Sequence, residues 1–282
     1  MGKIWNSGIQ NFRKWGTNPR IYILFLILGG FVHHVMQSLC DVAETLETGI
    51  TPWLLPFLCS DLYAGLYILL GFVLLFCNAP FVDRHQPYAI IRIGKSRWMA
   101  GQMLYIVIAS FIYTLSIQIM VIISLLPVLT FEMDWGTFLY TTAQIPIEEA
   151  HLLLRIGYDV IVKYTPLNAT LLSFLLIWLE GILIGFLLFV FNLQFKRTVG
   201  TIVVCFYAMT FWLVKELIDD NPFLWKVMPA VWMDMEALAE GSVFKHPGTV
   251  YVLLGFFILI TALAIWILGT AKRRTIEVLE QI

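Results

Sequence analysis

Long apolar stretches separated by short polar segments are the dominant pattern of this chain. The stretches lie at about 21–40, 57–79, 98–127, 168–192, 199–216 and 247–270. Each is close to, or longer than, the roughly 20 apolar residues that a helix needs to cross a bilayer. The pattern therefore predicts an all-α, polytopic integral membrane protein whose six transmembrane helices form a single domain, residues 21–271.

Composition agrees with this prediction. Of the 282 residues, 60% are hydrophobic and 13% are charged, and the mean hydropathy is +0.83, whereas soluble domains carry about 25% charged residues. The first residues contain neither an apolar run nor a small-residue cleavage site, so we expect no cleaved signal peptide. The net charge of −1 gives no reason to expect a nucleic-acid partner.

The distribution of lysine and arginine predicts the orientation. Thirteen of the 18 cations lie in the terminal segments and in the second and fourth loops: Lys3, Arg13, Lys14, Arg20, Arg84, Arg92, Lys95, Arg97, Lys196, Arg197, Lys272, Arg273 and Arg274. The first, third and fifth loops, with the ends of their spans, hold the remaining five: Arg155, Lys163, Lys215, Lys226 and Lys245. Because cytoplasmic loops are enriched in cations, we expect both termini in the cytoplasm. This arrangement requires an even number of spans, in agreement with the six predicted.

The N-terminal segment, residues 1–20, has the pattern of an amphipathic helix. At 100° per residue Ile4, Trp5, Ile9, Phe12 and Trp15 share one arc, and Lys3, Gln10, Arg13 and Lys14 occupy the opposite one. Such a helix lies in the membrane interface. It serves either as a simple anchor or as a docking surface linked to the first span. Residues 272–282 form a short cytoplasmic tail.

Two outer loops are predicted, at 128–167 and 217–246, and the first is unusually long. Residues 145–164 place Glu148, Arg155, Asp159 and Lys163 on one stripe, with Leu153, Leu154, Val160 and Ile161 opposite. The four-residue spacing favours Arg155–Asp159 and Asp159–Lys163 pairs on a helix. We expect an amphipathic helix on the outer face, acting as a structural cap or as a lid over an exit path.

Polar residues inside the predicted spans are candidate functional positions. Glu180 lies midway along the fourth span, where a charged side chain costs at least about 2–3 kcal/mol unless it faces protein or water. Gly181 and Gly185 form a G-x-x-x-G pair that permits close helix packing. With His33 of the first span, these residues are candidates for an intramembrane path or a dimer seam. Glu180 at an ordinary packing contact is the alternative.

Motifs of enzymes are missing from the sequence. No H-E-x-x-H or G-x-S-x-G is present, and Cys40, Cys59, Cys77 and Cys205 lack metal-binding spacing. Cys40 and Cys59 both fall near the outer ends of their spans, so a disulfide between them is conceivable. We expect neither a catalytic residue nor a metal site on this chain.

The loop between the second and third spans, residues 80–98, contains the tripeptide Gly94-Lys95-Ser96. A P-loop also needs a glycine five residues before Gly94, where this chain has Ala89. A long apolar run follows, instead of an amphipathic helix packed on a sheet. The loop is therefore predicted not to bind nucleotide but to form a short helix or turn below the membrane. Its cations either belong to a contact surface or only satisfy the positive-inside bias.

The segments NPRIYILFLILGG (18–30) and VDRHQPYAIIRIGKSRWMAGQMLYIVIASFIYTL (82–115) resemble permease subunits of type-2 ABC exporters, in particular the six-span permeases of Gram-positive bacteria. The resemblance implies a coupling helix in loop 80–98 that inserts into a separate ATPase subunit. The expected coupling residues are Arg84, His85, Tyr88, Arg92, Gly94, Lys95, Arg97 and Trp98. The long loop at 128–167 departs from the family pattern.

The sequence is thus interpreted as the permease subunit of an ATP-binding cassette exporter in a bacterial plasma membrane. It would work by alternating access. Its expected partners in the membrane are a second copy of this chain or a related permease, with which it forms a dimer, and membrane lipids. The chain would be no enzyme and bind no cofactor, with ATP and Mg²⁺ held by soluble ABC ATPase subunits. Two alternatives remain: a non-transporting sensor or assembly protein, and a secondary transporter with Glu180 as its proton site.

Overall fold

A computed structural model describes residues 2–81, 86–145, 152–195, 197–217, 221–240 and 246–273. Regular structure in these ranges is helical, apart from one isolated bridge between Ile50 and Leu129. The α-helices are α1 (Gly2–Phe12), α2 (Pro19–Thr45), α3 (Leu55–Ser60), α4 (Leu62–Phe76), α5 (Gln86–Ile93), α6 (Lys95–Leu125), α7 (Gly136–Thr142), α8 (Tyr158–Lys163), α9 (Pro166–Gln194), α10 (Arg197–Leu217), α11 (Pro222–Val227), α12 (Met235–Ala239) and α13 (Thr249–Arg273). Short 3-10 helices occupy Trp15–Thr17, Leu126–Val128 and Pro229–Met233.

Five helical segments among the described residues are long and apolar enough to cross a membrane. They are Pro19–Thr45, Lys95–Val128, Pro166–Gln194, Thr198–Leu217 and Thr249–Thr270. The all-helical architecture is thereby confirmed, and five of the six predicted spans coincide with helices that are long and apolar enough to cross a membrane.

The second predicted span, 57–79, is divided into two helices at Asp61. One carboxylate oxygen of Asp61, Oδ1, accepts hydrogen bonds from the backbone N–H groups of Tyr63 and Ala64 and so caps the start of α4. The 15 residues of α4 extend roughly 22 Å, less than the roughly 30 Å of a hydrocarbon core. The six residues of α3, which precede Asp61, are all buried within the protein.

α6 and α9 lie at the centre of the helix bundle. α9 contacts α4, α6, α10 and α13, and α6 also contacts α1 and α2. Two glycines of α9 make this packing close, because a side chain at Gly181 would overlap the ring of Phe72, and one at Gly185 would overlap Ile106. A side chain at Gly71 of α4 would overlap the buried hydroxyl of Tyr113. The predicted glycine pair thus serves contacts inside one chain.

One end of the bundle carries a folded cap, which we define as residues 46–61, 126–145, 152–165 and 221–240. Its segments are joined by backbone and side-chain hydrogen bonds, including Ile50 N–H to the carbonyl of Val128 (2.8 Å) and Thr51 hydroxyl to the carbonyl of Trp135 (3.1 Å). The indole of Trp53 donates to the carbonyl of Glu132 over 2.8 Å. The loops predicted to share the outer side therefore contact one another.

The opposite end, called the α1 end, gathers α1, residues 77–81, α5 and the starts of α2 and α6. The guanidinium of Arg20 donates to the thiol sulfur of Cys77, and the amide of Asn192 donates to the carbonyls of Cys77 and Ala79. The indole of Trp15 donates to the hydroxyl of Tyr105 over 2.8 Å. These contacts connect four segments that are distant in sequence.

α1 is helical, but it packs through a different face from the apolar arc identified in the sequence. Ser7, Gly8 and Asn11 are buried against α6, while Trp5 is half exposed. A Cβ on Gly8 would lie 2.9 Å from the carbonyl oxygen of Gly101, so the two backbones are nearly in contact. The amide of Asn11 donates to Gln102 over 2.5 Å. Of the apolar arc, Trp5 is left exposed, whereas Phe12 and Trp15 pack against the core.

The amphipathic helix predicted for residues 145–164 is wrong for residues 152–157, which are not helical, and α8 is limited to Tyr158–Lys163. Glu148 lies outside the described residues. Arg155 approaches Glu236 of α12 at 3.9 Å instead of Asp159. Lys163 donates to the carbonyl of Leu238 at the C-terminal end of α12, over 2.7 Å. Cations of this segment thus bind a second loop, which helix periodicity alone does not reveal.

The four cysteines are free thiols. Cys40 donates to the carbonyl of Ser124 over 3.6 Å, and Cys59 donates to that of Met233 over 3.2 Å. Each thiol thus has its own acceptor, and the conceivable bridge between Cys40 and Cys59 is not formed.

Candidate functional site

The segment that the sequence marked as a coupling loop contains a short helix at the α1 end. α5 covers Gln86–Ile93, and α6 begins at Lys95 after a single residue, Gly94. Gly94 has a φ of 86°, a left-handed conformation that glycine adopts at little cost. Its N–H donates to the carbonyl of Ile90, and its carbonyl accepts from Trp98, so it joins the two helices directly. α5 is therefore attached to the first turn of a 31-residue helix.

α5 has one face toward the protein and one face toward the surroundings. Ile90 and Ile93 pack against the core, whereas Ile91 is 76% exposed and Arg92 is also exposed. Next to them on α6, Arg97 is exposed and Trp98 is buried, which anchors the junction. An exposed isoleucine close in sequence to two exposed arginines is a combination suited to contact with another protein.

The remaining predicted coupling residues fall into two groups. Gly94 is exposed and Lys95 is partly buried at the start of α6. Tyr88 belongs to α5, and Arg84 and His85 lie outside the described residues. Because residues 86–93 are helical, no strand precedes Gly94, and the geometry of a P-loop is not present at the Gly94-Lys95-Ser96 tripeptide.

Glu180 lies in the interior of the bundle and is completely buried. The hydroxyl of Tyr207, on α10, donates to Oε1 of Glu180 over 2.7 Å. Oε2 has no hydrogen-bond partner among the described residues. An ionised carboxylate with one partner is costly in apolar surroundings, so this position is either strongly constrained by packing or used in function.

The other intramembrane candidates separate from Glu180. Gly181 and Gly185 are buried against α4 and α6 of the same chain. His33 is exposed on the surface of α2, beside the equally exposed His34 and Gln37. The structure thus does not bring His33 close to Glu180. His33, His34 and Gln37 instead form a polar patch on the outer surface of α2.

A buried polar network in the cap was not identified from the sequence. The ammonium of Lys215, at the end of α10, lies 2.6 Å from Oδ2 of Asp234, and their side chains are only 17% and 2% exposed. Lys215 also donates to the carbonyl of Ser60. The hydroxyl of Ser60 accepts from the N–H of Met235 (2.8 Å), and Asp234 caps α12 by accepting from Glu236 N–H (3.0 Å). One ion pair therefore holds α3, α10 and α12 together.

Glu236 extends this network toward the surface. Burial raises the pKa of Glu236 from its ordinary value of 4.5 to about 7, and the neighbouring carboxylate of Asp234 adds to the increase. Lys215 and Arg155 act in the opposite direction but do not cancel it. Close to neutral pH the Glu236 carboxyl is thus poised between its protonated and ionised forms.

Sequence reasoning missed this network for a simple reason. Lys215, Asp234 and Ser60 belong to three segments, and each has an ordinary local role at a helix end. Asp234 after a 3-10 helix and before α12 does carry an N-cap pattern. That pattern predicts where the helix begins, but it does not predict that a lysine at the end of α10 pairs with the capping aspartate.

Comparison with known protein families, with characterised proteins and with solved structures finds no match for this chain. Inferences about function therefore depend on the sites described above and on the sequence resemblance.

Proposed function

We propose that this chain is the transmembrane permease subunit of an ATP-binding cassette transporter, an exporter of the bacterial plasma membrane. Two copies, or this chain and a related permease, form the transport unit, and separate soluble ATPase subunits hydrolyse ATP with Mg²⁺. Alternating access at the subunit interface moves the substrate. The observation that carries the proposal is the exposed α5 surface, with Ile91 and Arg92, fixed to the start of α6.

The proposal includes six membrane crossings with both termini in the cytoplasm. Its support is the grouping of loops, since residues 46–61, 126–145, 152–165 and 221–240 meet in the cap, while residues 77–81 and Asn192 meet at the α1 end. The chain from α3 through α4 then completes the second crossing, with α3 buried in protein as non-spanning helices at membrane depth must be. The cation-rich α1 end is the cytoplasmic end, and α1 lies along the interface.

α6 gives the proposed coupling a mechanical route. The helix begins one residue after α5 and continues for 31 residues along the bundle, in contact with α2, α9 and α13. A force on α5 is transmitted to α6 because Trp98 is buried and Gly94 is bonded on both sides. Displacement of α6 then repacks the central helices.

Charge reversal at the α5–α6 junction tests the proposal. The tagged chain is purified in mild detergent from its native cells, with the Arg92→Glu/Arg97→Glu variant in parallel. We expect wild type to retain an ATP-binding cassette ATPase and the variant to lose it, because both arginines are exposed in the coupling surface. Arg13→Glu, at an exposed cation directly after α1, is the matched control. Retention of the ATPase with full turnover by the double variant contradicts the proposal.

A secondary transporter is the second candidate, favoured by the buried Glu180–Tyr207 pair. A proton site must exchange with water on both sides in turn. Neither of two cavities that the described residues form at the α1 end is lined by Glu180, and Glu180 lies beside the glycine-mediated contacts of α4 and α9. Proton-coupled uptake or export in vesicles without ATP would establish this candidate instead.

A further inference from the structure

A cavity at the α1 end has a lining that changes from polar to apolar. It has a volume of about 180 Å³, enough for about six water molecules at roughly 30 Å³ each. Its polar lining consists of Asn11, Lys14, Trp15, Asn18, Arg20, Asn78 and Tyr105, and its apolar lining consists of Ile21, Leu24, Leu74, Leu75 and Phe81. The described lining contains two cations and no carboxylate.

Arg20 is the central group of the polar side. It is part-buried, and one of its N–H groups donates to the thiol sulfur of Cys77 over 2.7 Å. A thiol is a weak acceptor, and a guanidinium carries five donors in a rigid fork suited to phosphate. Among the described residues no carboxylate lies within ion-pair distance of Arg20. Most of its hydrogen-bonding capacity thus remains for a ligand.

Tyr105 offers a second donor. It is 97% buried, at 3% exposure, and its hydroxyl oxygen accepts from the indole of Trp15. The hydroxyl proton has no acceptor among the described residues, although the residue lines the cavity. A buried O–H without an acceptor is rare in folded proteins, so an oxygen-rich ligand would satisfy a group that the protein leaves open.

The start of α2 adds to the positive potential. Asn18 caps this 27-residue helix by accepting from the N–H of Arg20, and the N-terminal end of a long helix carries a partial positive charge. Ile21 is the first residue of the predicted apolar span, so the cavity lies where the polar segment meets the membrane core. This is the depth at which phospholipid headgroups are found.

We propose that this cavity binds the phosphate group of an anionic phospholipid from the leaflet that holds α1, with Arg20, Tyr105 and Lys14 around the phosphate and the first acyl carbons over Ile21, Leu24 and Leu75. The polar half alone would accept free phosphate. The apolar half favours a lipid, because only an amphipathic ligand contacts both the polar and the apolar lining of the cavity. The bound lipid would connect α1, α2 and the end of α4, and this inference does not depend on an ATPase partner.

The test uses the full-length chain in neutral detergent and measures its melting temperature against added ligand. Dioleoyl phosphatidylglycerol should raise the melting temperature with saturation, while dioleoyl phosphatidylcholine and inorganic phosphate at equal concentrations should not. Arg20→Gln should weaken the phosphatidylglycerol effect about tenfold or more, because a charge-assisted hydrogen bond is lost. Arg20→Lys, which keeps the charge but loses the fork, should weaken the effect less than Arg20→Gln, and the exposed Arg13→Gln should leave it unchanged.

Leu74→Trp is a second variant, which narrows the apolar half without altering charge. It should weaken phosphatidylglycerol binding even if Arg20→Gln fails to fold. If inorganic phosphate raised the melting temperature as much as phosphatidylglycerol does, and if Leu74→Trp did not change this effect, the ligand would be a free anion. That result would overturn the proposal. Equal stabilisation by phosphatidylcholine, or wild-type binding by both variants, would overturn it as well.

Discussion

The ammonium of Lys215 lies 2.6 Å from Oδ2 of Asp234, and this ion pair closes the cap over the bundle. Lys215 ends α10, whereas Asp234 starts α12 nineteen positions later, and the carbonyl of Ser60 accepts a further hydrogen bond from the same ammonium. Because both charges are largely shielded from water, the pair is expected to stabilise one arrangement of α10 against the cap.

Removal of one partner should therefore destabilise the protein strongly. Lys215→Met leaves Asp234 buried without its cation and should lower the free energy of unfolding by about 3 kcal/mol. Lys215→Met/Asp234→Leu, which removes both charges, should cost less than the single variant. Thermal unfolding in detergent measures the difference, with Lys226→Met on α11 as control. A double variant that is no more stable than the single one would show that the pair does not carry this energy.

The raised pKa of Glu236 leads us to expect that the stability of the protein depends on pH. Its folded-state pKa of about 7 is above the ordinary 4.5, so the folded chain holds a proton that the unfolded chain has lost. Stability should fall as the pH rises from about 4.5 to 7 and then level off, by at most roughly 3 kcal/mol. The facing groups are Asp234, Lys215, Arg155 and Asp61.

Glu236→Gln provides the check on that prediction. The variant has no titrating carboxyl at this position, so its melting temperature should vary less between pH 5 and pH 8 than that of wild type. Asp159→Asn, on the neighbouring α8, is the control. An unchanged pH profile in Glu236→Gln would assign the dependence to other groups.

The Glu180–Tyr207 hydrogen bond predicts non-additive effects. Glu180→Gln keeps the shape but removes the acid, and Tyr207→Phe removes the single described donor to the carboxyl. Each single variant should reduce transport or lower the free energy of unfolding by about 1–3 kcal/mol. The double variant should lose no more transport or stability than the more severe single variant. Transport assays and thermal unfolding report both, with the exposed Glu44→Gln as control; additive losses would argue against a shared role.

α1 packing can be tested through Gly8. A Cβ at this position would lie 2.9 Å from the carbonyl oxygen of Gly101, so Gly8→Val should separate α1 from α6 and cost about 1–3 kcal/mol. Gly2→Ala is the matched control, because nothing lies within 4 Å of its added Cβ. Equal melting temperatures for the two variants would mean that α1 does not pack on α6 as described.

Five of the spans could be predicted from the sequence because a run of about 20 apolar residues has few other stable solutions. The second span shows the limit of that reasoning. Hydropathy treats 57–79 as continuous, although Asp61 caps α4 and thereby ends α3. A cap competes locally with helix continuation, and a hydropathy window averages over it.

The sites divide in the same way. The helix at Gln86–Ile93, followed by Gly94, agrees with the short helix or turn predicted for loop 80–98. Such a short helix could be predicted because it depends on residues that are neighbours in sequence. The cap depends on tertiary contacts that no local pattern encodes. Arg155 has Asp159 one helical turn away in sequence, yet it approaches Glu236 instead. Likewise, the apolar arc of α1 predicted an interfacial helix, but it did not reveal that Ser7 and Gly8 pack closely against Gly101 of α6.

Site-specific photocrosslinking at Ile91 tests the central claim most directly. Ile91 is 76% exposed on α5, so a photoreactive residue there should capture an ATP-binding cassette ATPase in intact native cells, as identified by mass spectrometry of the crosslinked band. The same residue at Leu26, 75% exposed on α2, should not capture it. The coupling account predicts an ATPase crosslink at Ile91 alone; adducts at Ile91 that contain only lipid or this chain, under efficient crosslinking, would contradict it.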